Sequence, residues 1–160
     1  MKRELPVRKK IRLDGYDYSQ AGYYFITMCV EDGHEMLGRI VGDAHPGVPH
    51  IFANVPYVEL SEYGEIIKEY IENIPLFYDN VRIDKYVIMP NHIHIIIVLE
   101  HGTGSTGNGT PGCASPTKSR LAKIFNAFKS LTARKIGFSL WQRAYHDHII
   151  RNQEEYKTKW

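Results

Sequence analysis

The order of the predicted elements indicates an α+β protein with a ferredoxin-like fold, a split βαβ sandwich. Two segments with apolar residues at helical spacing alternate with short runs of β-branched and aromatic residues, in the order strand, helix, strand, strand, helix, strand. This order predicts an antiparallel sheet that carries both helices on one face. At 160 residues the chain is long enough to bury one core, and we expect a single domain.

The predicted strands are apolar, and turn residues separate them. The first strand covers residues 22–30 and the last covers residues 141–150. Between them, Val81–Met89 and His92–Leu99 form a pair that folds back at a Met-Pro-Asn turn. Residues 38–57 are interrupted by glycines and prolines, which predicts a surface excursion with a ragged hairpin.

Three helices are predicted from periodicity and capping residues. The first has Ser61 as its N-cap and Pro75 as the residue that ends it. The second covers residues 119–136, with Gly137 as its C-cap. A third starts after Asn152.

A low-complexity segment and the absence of targeting signals complete the outline. Residues 101–118 are rich in Gly, Ser, Thr and Pro, which predicts a flexible loop inside the single domain. No apolar run reaches the ~20 residues of a membrane helix, so no membrane partner is predicted. Two cysteines are too few for a disulfide framework, and the start of the chain lacks the apolar core of a signal peptide. These features favour a cytoplasmic protein.

Positive charge is concentrated in two parts of the chain. Residues 2–12 are basic, and residues 101–146 contain no carboxylate. On the second helix a basic face lies opposite the apolar stripe, and two lysines flank that stripe. The face consists of Arg120, Lys123 and Arg134, and the flanking residues are Lys129 and Lys135. Segregated positive charge favours a nucleic-acid partner, while a solvated basic helix is the simpler alternative.

Two histidines one residue apart open the second strand of the central pair. His92 and His94 point to the same side of the strand, with their imidazoles adjacent. Such a pair can bind one divalent cation or contact a phosphate, and it can equally be two strand histidines with structural hydrogen bonds. His146 and His148 form a second pair with the same spacing.

Four motifs in order resemble a known family of bacterial enzymes. They are Pro90-Asn-His-Ile-His, Tyr16-Asp-Tyr-Ser with Gly22-x-Tyr24-Phe-Ile-Thr27, Phe128-Lys-Ser-Leu-Thr132, and Trp141-Gln-Arg-x-Tyr-x-Asp-His-Ile-Ile-Arg151-Asn152. Together they resemble the REP-associated tyrosine transposases of the HUH single-tyrosine superfamily. The resemblance implies a DNA strand transferase that acts on single-stranded hairpin DNA through a 5′-phosphotyrosine intermediate, as a monomer or a homodimer.

The resemblance also implies roles for individual residues. His92 and His94 would ligate Mg²⁺ or Mn²⁺. The family's nucleophile belongs on the C-terminal helix, about two residues past Trp160. The 160 residues therefore contain a truncated C-terminal helix and lack both this tyrosine and a third metal ligand. Tyr156 is the fallback nucleophile, although a shift of about six residues turns a helical side chain away by ~240°; its alternative role is helix packing.

Further DNA contacts and two alternative functions follow from the same pattern. His148 and Arg151 are placed near the site by the resemblance, with a structural role for His148 as the alternative. The second candidate function is a non-catalytic hairpin-DNA-binding module, a degenerate or domesticated transposase. A third is an unrelated metal hydrolase that combines His92 and His94 with Asp147.

Overall fold

The computed structural model describes Tyr18 and residues 20–42, 56–101 and 119–160. The basic residues 2–12 lie outside this part of the chain, and so does the predicted flexible loop apart from His101. No helix in the described part is long and apolar enough to cross a bilayer.

The described elements follow the predicted ferredoxin-like order. The six strands are β1 (Gly22–Cys29), β2 (Gly38–Val41), β3 (Tyr57–Leu60), β4 (Val81–Met89), β5 (His92–Leu99) and β6 (His146–Ile150). The three α-helices are α1 (Glu62–Phe77), α2 (Arg120–Ile136) and α3 (Gln153–Lys159). Strands β4, β5, β1 and β6 form one antiparallel sheet in that order, while β2 and β3 form the predicted hairpin beside it.

Alternation along the central strands divides the sheet into two faces. Tyr24, Ile26 and Met28 of β1 are fully or almost fully buried, and so are Ile93, Ile95 and Ile97 of β5. They share one core with the apolar faces of the first two helices, contributed chiefly by Ile67, Ile71, Leu121, Ile124, Phe125 and Phe128. Because neighbouring residues point to opposite sides of a strand, the remaining side chains of β1 and β5 lie on the other face, named here the open face.

The C-cap of α2 agrees with the sequence-based prediction, and Ser119, predicted as the first helical residue, is the N-cap. The Ser119 side chain accepts a hydrogen bond from the Ala122 main-chain N–H at 3.2 Å. Gly137 ends the helix in the left-handed region at φ 98°, and its N–H donates to the Ala133 carbonyl at 2.8 Å. Glycine adopts this conformation without the steric cost that a Cβ would add.

Two boundaries differ from the prediction. Pro75 does not end the first helix, because α1 continues to Phe77 with the proline inside it. Pro75 lies in the last turn, where its missing N–H and its ring disturb only a short remainder of the helix. The last strand is shorter than predicted and begins at His146.

The segment before β6 is held by two main-chain hydrogen bonds on either side of Val30 and by side chains, without a continuous ladder. Trp141 forms only an isolated bridge with Val30, and its indole N–H donates to Thr132 Oγ1 at 2.9 Å. The Lys129 ammonium donates to the main-chain carbonyls of Gln142 and Arg143. These contacts fasten the segment to α2, so it does not extend the strand.

The start of α1 packs against the main chain that follows β1. The Leu37 carbonyl accepts from the Ser61 N–H at 3.0 Å, and the Ser61 side chain caps Gly64 at 3.1 Å. A Cβ at Gly64 would clash with the Leu37 carbonyl oxygen and lie 3.1 Å from the Leu60 Cβ. Only glycine fits this close approach of backbone to backbone.

Gly64→Ala therefore separates local propensity from packing. Helix propensity alone predicts that alanine stabilises α1 by ~1 kcal/mol, whereas the clash predicts that it lowers the free energy of unfolding by ~1–3 kcal/mol. Urea unfolding of both forms decides the sign. Gly42→Ala is the matched control, since among the described residues a Cβ there has no neighbour within 4 Å, and a stabilising effect of Gly64→Ala would contradict the packing.

Candidate functional site

The two histidines of the motif lie at the start of β5, on the open face. His92 is opposite Cys29 of β1, and His94 is opposite Thr27. Both side chains are half-buried. The sequence-predicted placement of the two imidazoles on one side of the strand is thus realised in the fold.

The two imidazoles face each other through their Nε2 atoms. These atoms are 3.1 Å apart, and the ring planes are inclined at 72°. Two nitrogens at right angles on an octahedral cation, each at about 2.1 Å from it, would be separated by about 3.0 Å. The spacing of the pair therefore suits two adjacent ligands of one divalent cation.

Burial favours the neutral form of both rings. It lowers the pKa of His92 from its ordinary value of 6.5, and it lowers the pKa of His94 together with the nearby charge of a protonated His92. A neutral imidazole keeps one lone pair for a metal ion, whereas a protonated ring has none.

Three neighbouring side chains hold the pair. Asn91 Oδ1 lies 2.7 Å from His92 Nδ1, and the Asn91 amide nitrogen donates to the Gly33 carbonyl at 3.3 Å. Thr27 Oγ1 lies 2.9 Å from His94 Nδ1. The Phe25 ring stacks on His94, with the centroids 5.1 Å apart and the planes inclined at 25°.

The carboxylate expected in the hydrolase interpretation is not part of this site. Asp147 pairs with Ile26 across the sheet and is 3% exposed, on the helix-covered face. It therefore lies on the opposite side of the sheet from His92 and His94. Within the described ranges no group of three or more His, Cys, Asp or Glu side chains could hold a metal ion.

Helix α3 lies on the open face, and Tyr156 fastens it there. The Tyr156 hydroxyl donates to Asp84 Oδ2 at 2.5 Å, and its ring meets Tyr23 edge to face with centroids 6.1 Å apart. Arg82 donates to the other carboxylate oxygen of Asp84 at 2.6 Å. Asp84 occupies the irregular position of β4, where the pairing shifts between Ile83 and Lys85.

Tyr156 is thus engaged away from the histidine pair. Tyr23 lies four positions from Thr27 on β1, which is roughly 13 Å along a strand. The hydrogen bond to Asp84 is the main cause that raises the pKa of Tyr156 above its ordinary value, so the phenol is held in its protonated form. The same bond is the main cause that lowers the pKa of Asp84.

The predicted DNA-binding residues fall into two groups. Those on α2 belong to the helix-covered side of the sheet. There Arg120 donates to the Asp79 and Glu100 carbonyls, Lys129 donates to the carbonyls before β6, and Lys123 and Arg134 are exposed.

The second group lies with the histidines on the open face. His148 pairs with Phe25 across the sheet, and its Nε2 is 3.6 Å from Glu155 Oε2, which is longer than a hydrogen bond. Arg151 follows β6 and is exposed beside α3. A cavity of about 470 Å³ opens here, lined by Tyr23, Asp84, Ile150, Arg151, Asn152, Gln153 and Tyr156.

Several contributors to the site have no role in the sequence-based prediction, among them Asn91, Thr27 and Asp84. Asn91 directly precedes His92, so this contact between neighbouring residues could have been predicted from the sequence. Thr27 reaches His94 across the sheet, and Asp84 reaches Tyr156 over 72 positions. Those two contacts depend on strand register and on the position of α3, and spacing in the sequence does not report either.

Sequence comparison places the chain in a family. No protein-family model matches it. A Haemophilus influenzae protein, described only as uncharacterized, is 34% identical over 160 residues, an alignment that covers 93% of this chain and 82% of that protein. The chain belongs to the family of this Haemophilus protein. Identity at this level over most of both chains shows common descent, but it does not assign an activity to the family.

The fold of this chain is similar to that of a transposase. A solved structure of a REP-associated tyrosine transposase bound to a REP hairpin matches with a TM-score of 0.59 at 14% sequence identity. The match covers 94% of this chain and 67% of that one. The similarity supports the predicted α+β fold, with its antiparallel four-stranded sheet.

The contact between Tyr156 and Asp84 makes the stability of the protein depend on pH under both acidic and alkaline conditions. Because the pKa of Asp84 is lowered in the folded protein, its contribution to the free energy of unfolding is present above pH 3.8. This contribution is lost as the pH falls through the pKa of Asp84 in the folded protein. Because the pKa of Tyr156 is raised in the folded protein, its contribution to the free energy of unfolding is present below pH 10.0. This contribution is lost as the pH rises through the pKa of Tyr156 in the folded protein.

We therefore expect Tyr156→Phe to lower the melting temperature between pH 3.8 and 10.0. The difference in melting temperature between wild type and variant should decrease below pH 3.8 and above pH 10.0. Thermal melts across this range by circular dichroism measure it. Tyr63→Phe is the control, because the Tyr63 ring packs edge-on against Phe138 and its hydroxyl has no hydrogen bond within the described residues. Equal melting temperatures for wild type and Tyr156→Phe near neutral pH would contradict the docking role.

Proposed function

We propose that the protein is a transposase-like DNA strand transferase that acts on single-stranded, hairpin-forming DNA. The histidine pair carries this proposal, with Nε2 atoms 3.1 Å apart on the open face of a ferredoxin-like sheet. The fold similarity to a REP-associated tyrosine transposase supports it, as do the four sequence motifs. The hairpin bound by that transposase is the basis for proposing the same class of DNA here.

The donors of the site fit Mg²⁺ or Mn²⁺ as the cofactor. His92 and His94 would hold the cation with two adjacent nitrogens, and the remaining positions suit phosphate and water oxygens, which both ions prefer. The bound cation would neutralise charge on the non-bridging phosphate oxygens during transfer. The half-buried position of the histidines on a rigid strand fixes the direction in which a phosphate must approach.

In the proposed reaction a tyrosine hydroxyl attacks the phosphorus of a phosphodiester. The bond from phosphorus to the 3′ oxygen breaks, leaving a 5′-phosphotyrosine link and a free 3′ hydroxyl, and the covalent link retains the energy for rejoining. The family resemblance puts this tyrosine on the C-terminal helix, about two residues past Trp160. We assign Tyr156 to docking of that helix, because its hydroxyl is bound to Asp84 and its raised pKa opposes ionisation.

The open face is the proposed DNA-binding surface. Arg151 is exposed there, and His148 lies on the same face as the histidine pair. Lys123 and Arg134 are exposed on the helix-covered side of the sheet, so they would contact the hairpin only where it also reaches α2. Arg120 and Lys129 are already bound to main-chain carbonyls and would contribute mainly by positioning the chain.

A second candidate is a hairpin-DNA-binding module without strand transfer. It is favoured for residues 1–160 because Tyr156, the fallback nucleophile on α3, donates to the Asp84 carboxylate and is not presented to a phosphate. The two candidates share the DNA-binding surface and differ in whether a covalent adduct forms.

A covalent-adduct assay distinguishes them. The 160-residue chain is mixed with Mn²⁺ and a single-stranded hairpin oligonucleotide labelled at its 3′ end, and the products are separated on a denaturing gel. Strand transfer by a tyrosine past Trp160 predicts no labelled protein band from residues 1–160, and a band that is lost in His92→Ala from the same chain extended through that tyrosine. A band from residues 1–160 that is lost in Tyr156→Phe would reassign the nucleophile to Tyr156. Hairpin binding without a band from either chain would support the module.

Salt dependence of hairpin binding locates the DNA. Arg151→Gln should weaken binding and reduce the slope of log K against log salt by about 0.7–0.9, the value for one phosphate contact. Arg134→Gln, which removes one charge from the helix-covered side, should change the slope less. A larger effect of Arg134→Gln would move the DNA-binding surface to α2.

A further inference from the structure

We infer that Asn91 fixes the tautomer of His92, and that the Thr27 hydroxyl lets His94 change its tautomer when a cation binds. This inference rests on the proposed metal site and names the residues that prepare it. Asn91 and Thr27 are positioning residues, since each acts through a histidine and neither would touch the cation itself.

The orientation of the Asn91 amide decides the state of His92. The amide nitrogen can only donate, and it points to the Gly33 carbonyl at 3.3 Å. The amide oxygen therefore faces His92 Nδ1, at 2.7 Å, and an oxygen of this kind can only accept. His92 must carry its hydrogen on Nδ1, which leaves the lone pair of Nε2 directed at the neighbouring ring.

The main chain holds Asn91 in place from two directions. Its carbonyl accepts from the Val30 N–H at 2.9 Å, and the preceding Pro90 carbonyl accepts from the Leu37 N–H at 2.8 Å. Asp32 and Gly33, at φ 54° and 71°, form the left-handed turn that presents the Gly33 carbonyl to the amide. The orientation of the amide is thus built into the fold.

His94 is in a different situation because its partners can exchange roles. Without a cation, the lone pair on His92 Nε2 requires His94 to donate from its own Nε2, across 3.1 Å. The lone pair of His94 then lies on Nδ1, where the Thr27 hydroxyl donates to it at 2.9 Å. A cation between the rings needs both Nε2 lone pairs, so the hydrogen of His94 must move to Nδ1.

Thr27 is suited to this change. A hydroxyl donates or accepts according to its rotation, so the same oxygen can accept from Nδ1–H after the change. The ring loses one proton from Nε2 to solvent and gains one on Nδ1 from solvent, and it stays neutral throughout. An asparagine at position 27 would need to turn over its whole amide for the same exchange.

Histidine side-chain NMR tests both assignments. Long-range ¹H–¹⁵N spectra of protein labelled with ¹⁵N-histidine separate protonated from unprotonated ring nitrogens, and His92→Gln and His94→Gln identify the signals. In the metal-free protein we expect the hydrogen on Nδ1 of His92 and on Nε2 of His94. Saturating MgCl₂ should leave His92 unchanged and move the hydrogen of His94 to Nδ1. His92 with its hydrogen on Nε2 would overturn the role of Asn91.

Variants separate positioning from simple packing. Asn91→Leu should let His92 populate the Nε2–H form in the metal-free protein and weaken Mn²⁺ binding, followed by electron paramagnetic resonance, about 10–100-fold. Asn91→Asp, which keeps an acceptor oxygen, should restore the Nδ1–H form. Thr27→Val should hinder the change at His94 and weaken Mn²⁺ binding, and Thr27→Ser should restore both. An unchanged His92 tautomer in Asn91→Leu would also overturn the role of Asn91.

The metal-free spectra keep this inference separate from the proposed function. If His92 has the expected tautomer and neither Mn²⁺ nor Mg²⁺ binds, the metal site and the change at His94 are overturned, while the role of Asn91 stands. If the cations bind and His94 keeps its hydrogen on Nε2, the role of Thr27 is overturned and the metal site stands.

Discussion

The antiparallel register between β1 and β5 is the constraint on which the other features depend. It places Thr27 opposite His94 on the open face and Ile26 opposite Ile95 in the core under the helices. A slip of one residue would carry both histidines into the core and bring isoleucines to the open face. The large apolar side chains on the helix-covered face oppose such a slip, because exposing each of them costs about 1.5–3 kcal/mol. The chemistry of one face is thus specified by the packing of the other.

The two faces of the sheet have different tasks. The helix-covered face provides stability through α1, α2 and the buried side chains of β1 and β5. The open face carries the histidine pair at one end, and at the other end α3 is attached through Asp84 and Tyr156. Cations of α3 and β4 lie over aromatic rings there, with Lys159 5.9 Å from the Phe25 centroid and Lys85 5.4 Å from that of Tyr156. The helix is held by polar and aromatic contacts, which are weaker than a packed core.

The fold was largely predictable from the sequence, and the site only in part. Periodicity and capping residues located α2 between Ser119 and Gly137, and strand alternation put His92 and His94 side by side. The bonds of Arg120 and Lys129 to carbonyls were not predictable, since helical periodicity shows which side chains leave the apolar stripe and does not show what they meet. The irregularity at Asp84 was equally hidden, because a β-bulge has no reliable signal in a single strand.

The irregularity in β4 also affects how readily this strand pairs with a strand of another molecule. Strand β4 is one edge of the sheet, and an edge with free N–H and C=O groups invites pairing with another chain. The shift between Ile83 and Lys85 interrupts the regular spacing of those groups, and Arg82 and Lys85 add charge beside it. The other edge, β6, offers only five residues. Both borders of the sheet are therefore poor templates for aggregation, although the strands between them are among the most apolar parts of the chain.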